Sequence, residues 1–373
     1  MSAPARGVER GRDCCYSPAM VAGTVAERRG EEASAAADFK ASVVVCTHNR
    51  ARLLPMCMDF LSRQTFPREQ FEIILVDNAS TDETAAVAAG LQERMPHLRV
   101  IREPRAGKSF ALNTGIRVAR GQIVAFLDDD GRAAPDWLER IVAAFEHESP
   151  TPAAVGGDLD PIFSISPPRW FPPGHFAPRR AVVRGFLSAD QARSGLSGCN
   201  MAVRRDLLIA VGGFDPTMGP RGRRFSFGED TEIFRRLVEH SPHVWYDPAI
   251  HVEHLVPAER LRVADALKRA YLHGRAVSSL EGVWGAQLMV GRHRRFVPYL
   301  RRLLGKLSGR SGGVTEGAPK EAPGTVDPHA RPLGRGDRLK RELFVASLSI
   351  AYELGRLRGA RWRRGAERSP DNR

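Results

Sequence analysis

At 373 residues, 42% of them apolar, the chain can bury one large core or two ordinary ones. A net charge of +13 and a pI near 10.2 invite an anionic partner, but the arginines crowd into the last quarter (Arg292-His293-Arg294-Arg295, Arg301-Arg302 and RLRGARWRR at 356–364), so an anionic membrane surface fits as well as nucleic acid. Five cysteines without metal-ligand spacing or a paired framework, no run of about 18 apolar residues and no signal-peptide core argue against a disulfide scaffold, a spanning helix and export, leaving a cytoplasmic protein as the expectation.

Residues 1–38, rich in Ala, Arg, Glu and Gly without clear periodicity, read as a flexible leader. From Ser42 the pattern sharpens. Residues 42–47 (SVVVCT) are β-branched and continuous, as in a strand covered on both faces. A helix is expected over 51–64, a second strand over 71–76 (FEIILV), and a helix over 81–94. A short strand at 98–102, a helix at 108–119 and a fourth strand at 122–127 follow, with another helix starting near Pro135. Strands alternating with helices of about 10–15 residues predict an α/β fold of βαβ units and a parallel sheet. Residues 161–178 form a loop dense in proline and aromatics, a candidate lid or binding loop. Helices are expected at 204–211 and 230–240, a strand at 244–246 and a longer helix at 260–280. Residues 286–307 read as a basic helix and 308–337, with SGRSGG and GAP, as a linker. The last segment, 338–373, is an amphipathic basic helix and tail, its apolar face built from Leu343, Phe344, Ala346, Leu348, Ile350, Leu354 and Leu357.

Ligands of open parallel sheets bind beyond the carboxyl ends of the strands. There this chain places Thr47-His48-Asn49-Arg50 after the first strand, Asp77-Asn78-Ala79-Ser80-Thr81-Asp82 after the second and Asp128-Asp129-Asp130 after the fourth. Any one of these is compatible with a turn or a helix cap. Acid after both of the strongest strands concentrates like charge on one rim, a cost that Mg²⁺ or Mn²⁺ with its oxygen ligands would relieve.

The stretches VVVCTHNR (43–50), IILVDNASTDET (73–84), GKSFALNTGI (107–116), IVAFLDDDG (123–131), SGCNMAVRRDLLIAVGGFD (197–215) and GEDTEIFRRL (228–237) resemble, in order and spacing, the inverting family 2 glycosyltransferases of the GT-A fold. The resemblance covers about residues 40–275. It implies a mostly parallel sheet flanked by helices in a catalytic domain at 39–285, with a nucleotide-binding half (39–131) and an acceptor half (132–285), and a C-terminal helical extension.

By that resemblance FLDDDG is the D-x-D motif: Asp130 ligates the metal (Mn²⁺ or Mg²⁺), Asp128 contacts the ribose or the metal's water shell, and Asp129 between them is structural. Asp77 reads the nucleobase edge, with Thr47, Asn49 and Arg50 lining the same pocket. Lys108 offsets negative charge beside the nucleotide and Asn113 holds that loop. The P-loop alternative for Ala106-Gly107-Lys108-Ser109 fails, because position 102 is Arg rather than the required Gly. Asp230 is the general base, oriented by Glu229. His254 fits a second metal ligand better than His251 does. Gly198 and Asn200 approach donor sugar or acceptor. Trp170 either stacks on an acceptor or anchors its loop, and Cys199 reads as a small buried residue. Partners implied are a UDP- or GDP-linked sugar donor, a glycan or lipid-linked acceptor and an anionic membrane at the inner face of the cell membrane; no nucleic acid is expected. Without a Q-x-x-R-W motif or membrane helices, a single-addition enzyme is the expectation. Two rivals remain: a sugar nucleotidyltransferase, against which the lack of a Gly-rich first loop argues, and a basic nucleic-acid-binding or inactive scaffold on the same fold.

Overall fold

The computed structural model describes residues 39–172, 176, 183–193, 196–221, 227–284 and 334–367. The leader expected at 1–38, the basic helix at 286–307 and all but the end of the linker at 308–337 lie outside them. Among the described residues the strands are β1 (Ala41–Thr47), β2 (Phe71–Asn78), β3 (Leu98–Glu103), β4 (Ile123–Asp128), β5 (Gly131–Ala133) and β6 (Ala154–Gly156), then β7 (Leu159–Phe163), β8 (Gly185–Phe186), β9 (Met201–Arg204), β10 (Val244–Tyr246) and β11 (Val252–Val256). The helices are α1 (Leu54–Ser62), α2 (Thr84–Arg94), α3 (Lys108–Val118), α4 (Trp137–His147) and α5 (Ala189–Arg193). They continue as α6 (Arg205–Ala210), α7 (Glu229–His240), α8 (Val263–Trp284) and α9 (Arg335–Glu367).

Eight strands form one sheet in the order β3-β2-β1-β4-β9-β6-β10-β8. β3, β2, β1 and β4 run parallel, whereas β9 is antiparallel to both neighbours. This is the expected mostly parallel α/β sheet, and its continuous apolar strands follow from burial on both faces. Val43, Val45, Ile73, Leu75, Ala125 and Leu127 point to one side, against α1, α2 and α4. Val44, Ile74, Val76, Val124 and Phe126 point to the other, against α3, α6 and α7.

Register levels the strand ends: Thr47 lies beside Asp77 and Cys46 beside Asp128. Because β9 runs antiparallel with Met201 opposite Phe126, the turn before it, Gly198-Cys199-Asn200, emerges on the same rim.

Several boundaries differ from expectation for local reasons. α1 starts at Leu54 rather than 51, with Pro55 in its first turn, where the missing N–H costs nothing. α2 starts at Thr84 rather than 81, because the Thr81 and Asp82 amides donate to Asn49 Oδ1 and the Thr84 amide to Asp82 Oδ1. The proline-rich loop begins as a strand, β7, which tolerates Pro161 because it is an edge of the small sheet β5-β11-β7. That sheet aligns His254 of β11 with Gly131 and Pro161.

α9 packs on the domain. An added Cβ on Gly274 would lie 2.0 Å from the Tyr352 carbonyl oxygen, and one on Gly355 would lie 1.9 Å from that of Tyr271, so α8 and α9 touch backbone to backbone. Phe344 joins Phe171, Leu261 and Ala266 in a small cluster against the proline-rich loop. Leu339, Leu343, Ile350, Leu354 and Leu357 are 40–56% exposed and share one outward stripe at helical spacing. No helix among the described residues is long and apolar enough to cross a membrane.

Candidate active site

The loops after β1 and β2 are tied to each other before they can hold anything else. Asn49, with φ 54°, sits in the left-handed region and accepts from the Thr81 amide at 2.8 Å, while its own amide donates to Ser80 Oγ at 3.0 Å. Asp77, buried, accepts from the Ser80 amide at 3.1 Å. Asn78 receives the Gly107 amide at 2.7 Å and donates to the Arg105 carbonyl at 2.7 Å, fixing the start of α3 and with it Lys108.

The acid triplet splits into three environments. Asp129 is buried and accepts from Thr47 Oγ1 at 2.7 Å; burial, outweighing Arg50, raises its pKa to about 6. Asp130 is also buried, yet its hydrogen bond with His254 Nε2 (3.1 Å) and the charges of His254, Arg50 and Arg260 hold it down to about 2. Arg50 Nη1 lies 3.8 Å from its other oxygen. The Asp130 carbonyl accepts from the Leu255 amide at 3.0 Å, which pins β11 beside the triplet. Asp128 is the most open of the three and meets Lys108 Nζ at 2.9 Å.

Lys108 also reaches Glu229 Oε1 at 3.7 Å. Burial opposes its charge, but Asp128, Asp230 and Glu229 together raise its pKa. Gly228, with φ 107°, turns the chain into α7 so that Glu229 and Asp230 enter the site from its first turn. Burial and Asp230 push Glu229 up to about 7, and burial also raises Asp230. Asp230 Oδ2 accepts from the Gly198 amide at 3.1 Å; its Oδ1 is buried without a hydrogen-bond partner.

The structure thus brings together Arg50, Lys108, Asp128, Asp130, Gly198, Glu229, Asp230 and His254, with Thr47 and Asp129 beneath them. Other expected residues lie elsewhere or are engaged. Asn113 forms a reciprocal amide latch with Phe214, 2.7 Å each way, and stabilises the Gly213 turn. Asn200 is 1% exposed: its oxygen accepts from Trp137 Nε1 and its nitrogen donates to the Asp158 and Ile250 carbonyls, so it buttresses the turn that carries Gly198. Trp170 packs edge-on against Phe344 at 5.3 Å and its carbonyl accepts from Arg341, contacts that tie its loop to α9. No motif signals Arg260, whose charge acts on Asp130 and Asp128 from the turn after β11.

The donors fit a divalent cation. An ion with ligand bonds of about 2.1 Å sets neighbouring ligands about 3 Å apart, as Asp130 Oδ1 and His254 Nε2 are at 3.1 Å. Asp128, Cys199 and His254 also offer donor atoms within 4.8 Å of one another.

A doubly covered, mostly parallel sheet with acids gathered at its strand ends is the architecture of a GT-A glycosyltransferase. Among solved structures, a mannosyltransferase of Pyrobaculum calidifontis, in complex with GDP-Man and Mn²⁺, shares the fold with a TM-score of 0.51 at 21% identity, over 94% of this chain and 83% of that one. The family model described as Glycosyl transferase family 2 matches residues 42–212. An uncharacterized glycosyltransferase of Escherichia coli, YibD, is 36% identical over 273 residues, covering 72% of this chain and 71% of its own length. A glucosyl-dolichyl phosphate glucuronosyltransferase of Haloferax volcanii is 27% identical over 219 residues, 58% of this chain and 69% of its own length. The chain belongs to glycosyltransferase family 2. It is a glycosyltransferase.

Proposed function

We propose that this chain is an inverting, metal-dependent, single-addition glycosyltransferase that moves a sugar from a UDP- or GDP-linked donor to a hydroxyl of a glycan or lipid-linked acceptor. The observation that carries the reading is Asp230: one carboxylate oxygen held by the Gly198 amide, the other buried with its acceptor capacity unspent, and a raised pKa. A base in that state is poised to take a proton.

In the proposed reaction Asp230 Oδ1 removes the acceptor hydroxyl proton as the oxygen attacks the anomeric carbon. The bond from that carbon to the diphosphate oxygen breaks on the opposite face, and the nucleoside diphosphate leaves with the bonding pair. Asp77, Thr47, Asn49 and Arg50 form the nucleotide side. Arg50, Lys108 and Arg260 supply positive charge around the triplet, and Glu229 steadies Asp230 through the shared Lys108. Asp130 and His254, with Asp128 beside them, would hold Mn²⁺ or Mg²⁺, which when bound neutralises charge on the leaving diphosphate. That a neighbour of the same fold is solved with Mn²⁺ supports the choice of a divalent ion.

The outward apolar stripe of α9, on a helix with nine Lys and Arg against four Asp and Glu, supports a peripheral position on an anionic membrane, where a lipid-linked acceptor would be met. Calorimetric titration with UDP and GDP, with and without Mn²⁺, on wild type and Asp130→Ala tests the donor site. Metal-dependent binding of one nucleotide, lost in the variant, is the expected result; binding of neither would return weight to the inactive-scaffold reading.

A further inference from the structure

Three thiols approach the acid triplet from different elements. Cys57 of α1 points at the Asp128 carbonyl at 3.7 Å, and Cys46, next to last in β1, lies beside Asp128. Cys199 is distinct. Its sulfur, a carboxylate oxygen of Asp128 and a ring nitrogen of His254 all lie within 4.8 Å of one another. The three donors come from three elements: the end of β4, the turn before β9 and β11. Two features hold that arrangement. Asn200, saturated by Trp137 and two carbonyls, fixes the turn on which Cys199 sits. Gly131 stays without a side chain where a Cβ would press to 3.2 Å from the Cys199 sulfur and 2.8 Å from Leu127 Cδ1.

We propose that Cys199, with Asp128 and His254, forms a soft-metal site that captures a thiophilic divalent ion of the Zn²⁺, Co²⁺ or Cd²⁺ class in competition with the hard ion of the transfer reaction. The inference rests on the proposed divalent site in that both donor sets draw on His254 and Asp128 stands beside both. One set, Asp130 and His254, is oxygen-rich in its surroundings and suits Mg²⁺ or Mn²⁺. The other pairs imidazole and thiolate with one carboxylate, a set that suits zinc-like ions.

The geometry is close to what such an ion requires. Metal bonds of about 2.0–2.3 Å to O, N and S in a tetrahedron set the ligand atoms about 3.5 Å apart, so the donors need to contract by on the order of 1 Å. Three protein ligands leave the fourth position open to water or to an anionic ligand. The metal–sulfur bond forms as the S–H bond breaks, and the proton goes to the buffer. Occupancy of this set draws His254 from Asp130, so the ion inhibits transfer until a chelator removes it.

The test is a Co²⁺ titration of the purified full chain with Cys14 and Cys15 replaced by serine, followed by sulfur-to-cobalt charge-transfer absorption. The expected result is a band that saturates at one equivalent, is displaced by Zn²⁺, persists in Cys46→Ser and Cys57→Ser, and disappears in Cys199→Ser with a loss of Co²⁺ affinity of about tenfold or more. His254→Gln in the same titration, expected to weaken the band in parallel, covers the case of a Cys199→Ser variant that does not fold. Absence of the band in the parent, or its persistence in a folded Cys199→Ser variant, overturns the proposal. Mn²⁺-dependent nucleotide binding, measured separately by calorimetry, reports on the hard-ion reading: if it is absent while the cobalt band is present, that reading fails and the soft site stands.

Discussion

Replacing Gly198 by alanine would test the proposed base, Asp230, directly without substituting a carboxylate. An added Cβ would lie 2.4 Å from each Asp230 oxygen. Non-bonded heavy atoms settle near 3.5 Å, so Asp230 or the Gly198 turn must yield by about 1 Å. The turn is the stiffer partner, because Asn200 is bonded on three sides behind it. Asp230 therefore swings away and its unpartnered oxygen leaves the acceptor's line of attack. A displacement of about 1 Å costs on the order of 100-fold in rate, which is about 2.7 kcal/mol of barrier. Steady-state transfer kinetics on Gly198→Ala should show that fall in kcat with nucleotide affinity near wild type. Gly90→Ala, where a new Cβ has open space within 4 Å, is the control for a harmless methyl. A Gly198→Ala enzyme with wild-type kcat would refute the argument that Asp230 must stand where Gly198 holds it.

The same network predicts the pH behaviour. With Asp230 as the proposed base, transfer requires it ionised; its pKa is raised, so the acidic limb of kcat should lie above the ordinary carboxylate range and activity should fall as pH drops through it. Lys108→Met removes the charge that lowers both Asp230 and Glu229, and a pH–rate series should show that limb displaced further upward. Burial and Asp230 push Glu229 up to about 7 in the fold, from about 4.5 in the unfolded chain. Between those values the native state holds more protons than the unfolded chain, so this group's contribution to stability declines as pH rises. Melting of the metal-free protein at about pH 5.5 and about pH 7.5 should reveal that slope, reduced in Glu229→Gln. At the other end of the molecule, Gly355→Ala would drive a methyl into the Tyr271 carbonyl; faster hydrogen exchange across α8 and α9 with the sheet unchanged is the expected readout. Ile350→Glu with Leu354→Glu should weaken sedimentation with anionic vesicles and leave transfer to a soluble acceptor unaltered.

How much of this could be read in the sequence varies with the range of the determining interactions. The strands β1 to β4 are legible because their burial on both faces demands continuous apolar runs, and Asp77 and Asp128–Asp130 follow from where those runs stop. The short strands β5, β8 and β9, of two to four residues, carry too few side chains to show a period. β11 was legible only as a pair of histidines; its strand character is imposed by pairing with Gly131–Ala133 and Leu159–Phe163. Within the site, motif order identifies Glu229, Asp230 and Lys108. It does not distinguish the residues that face the cleft from those that brace it, since Asn113 and Asn200 differ from a ligand-binding asparagine only in their long-range partners. Arg260 and the approach of Cys199 to Asp128 depend wholly on such contacts. Trp170 shows the same limit: a tryptophan between prolines is compatible with stacking on a sugar, and only the arrival of Phe344 from 174 residues later in the chain gives it a different neighbour.

The opposed fates of these carboxylates give the site its chemical logic. Five acids, Asp128, Asp129, Asp130, Glu229 and Asp230, converge on one rim. If all five ionised alike, their repulsion would oppose folding, and none would be distinguished as a base. The fold separates them by the company each keeps. Asp130 receives His254 and Arg50, which against its burial hold its pKa down to about 2, as suits its proposed role as a cation ligand. Asp129 receives a hydroxyl and burial, and rises to about 6. Glu229 and Asp230 share a single lysine with Asp128, and that one cation does not offset their burial, so both rise. Groups driven apart in pKa by their surroundings mark a division of labour between holding charge and moving protons. Here the division runs along the sheet: the low-pKa acid lies where β4 meets β11, and the high-pKa pair lies at the first turn of α7, across Lys108. A donor diphosphate drawn to the first and an acceptor hydroxyl meeting the second would face each other over the Lys108–Asp128 pair, with the anomeric carbon between them.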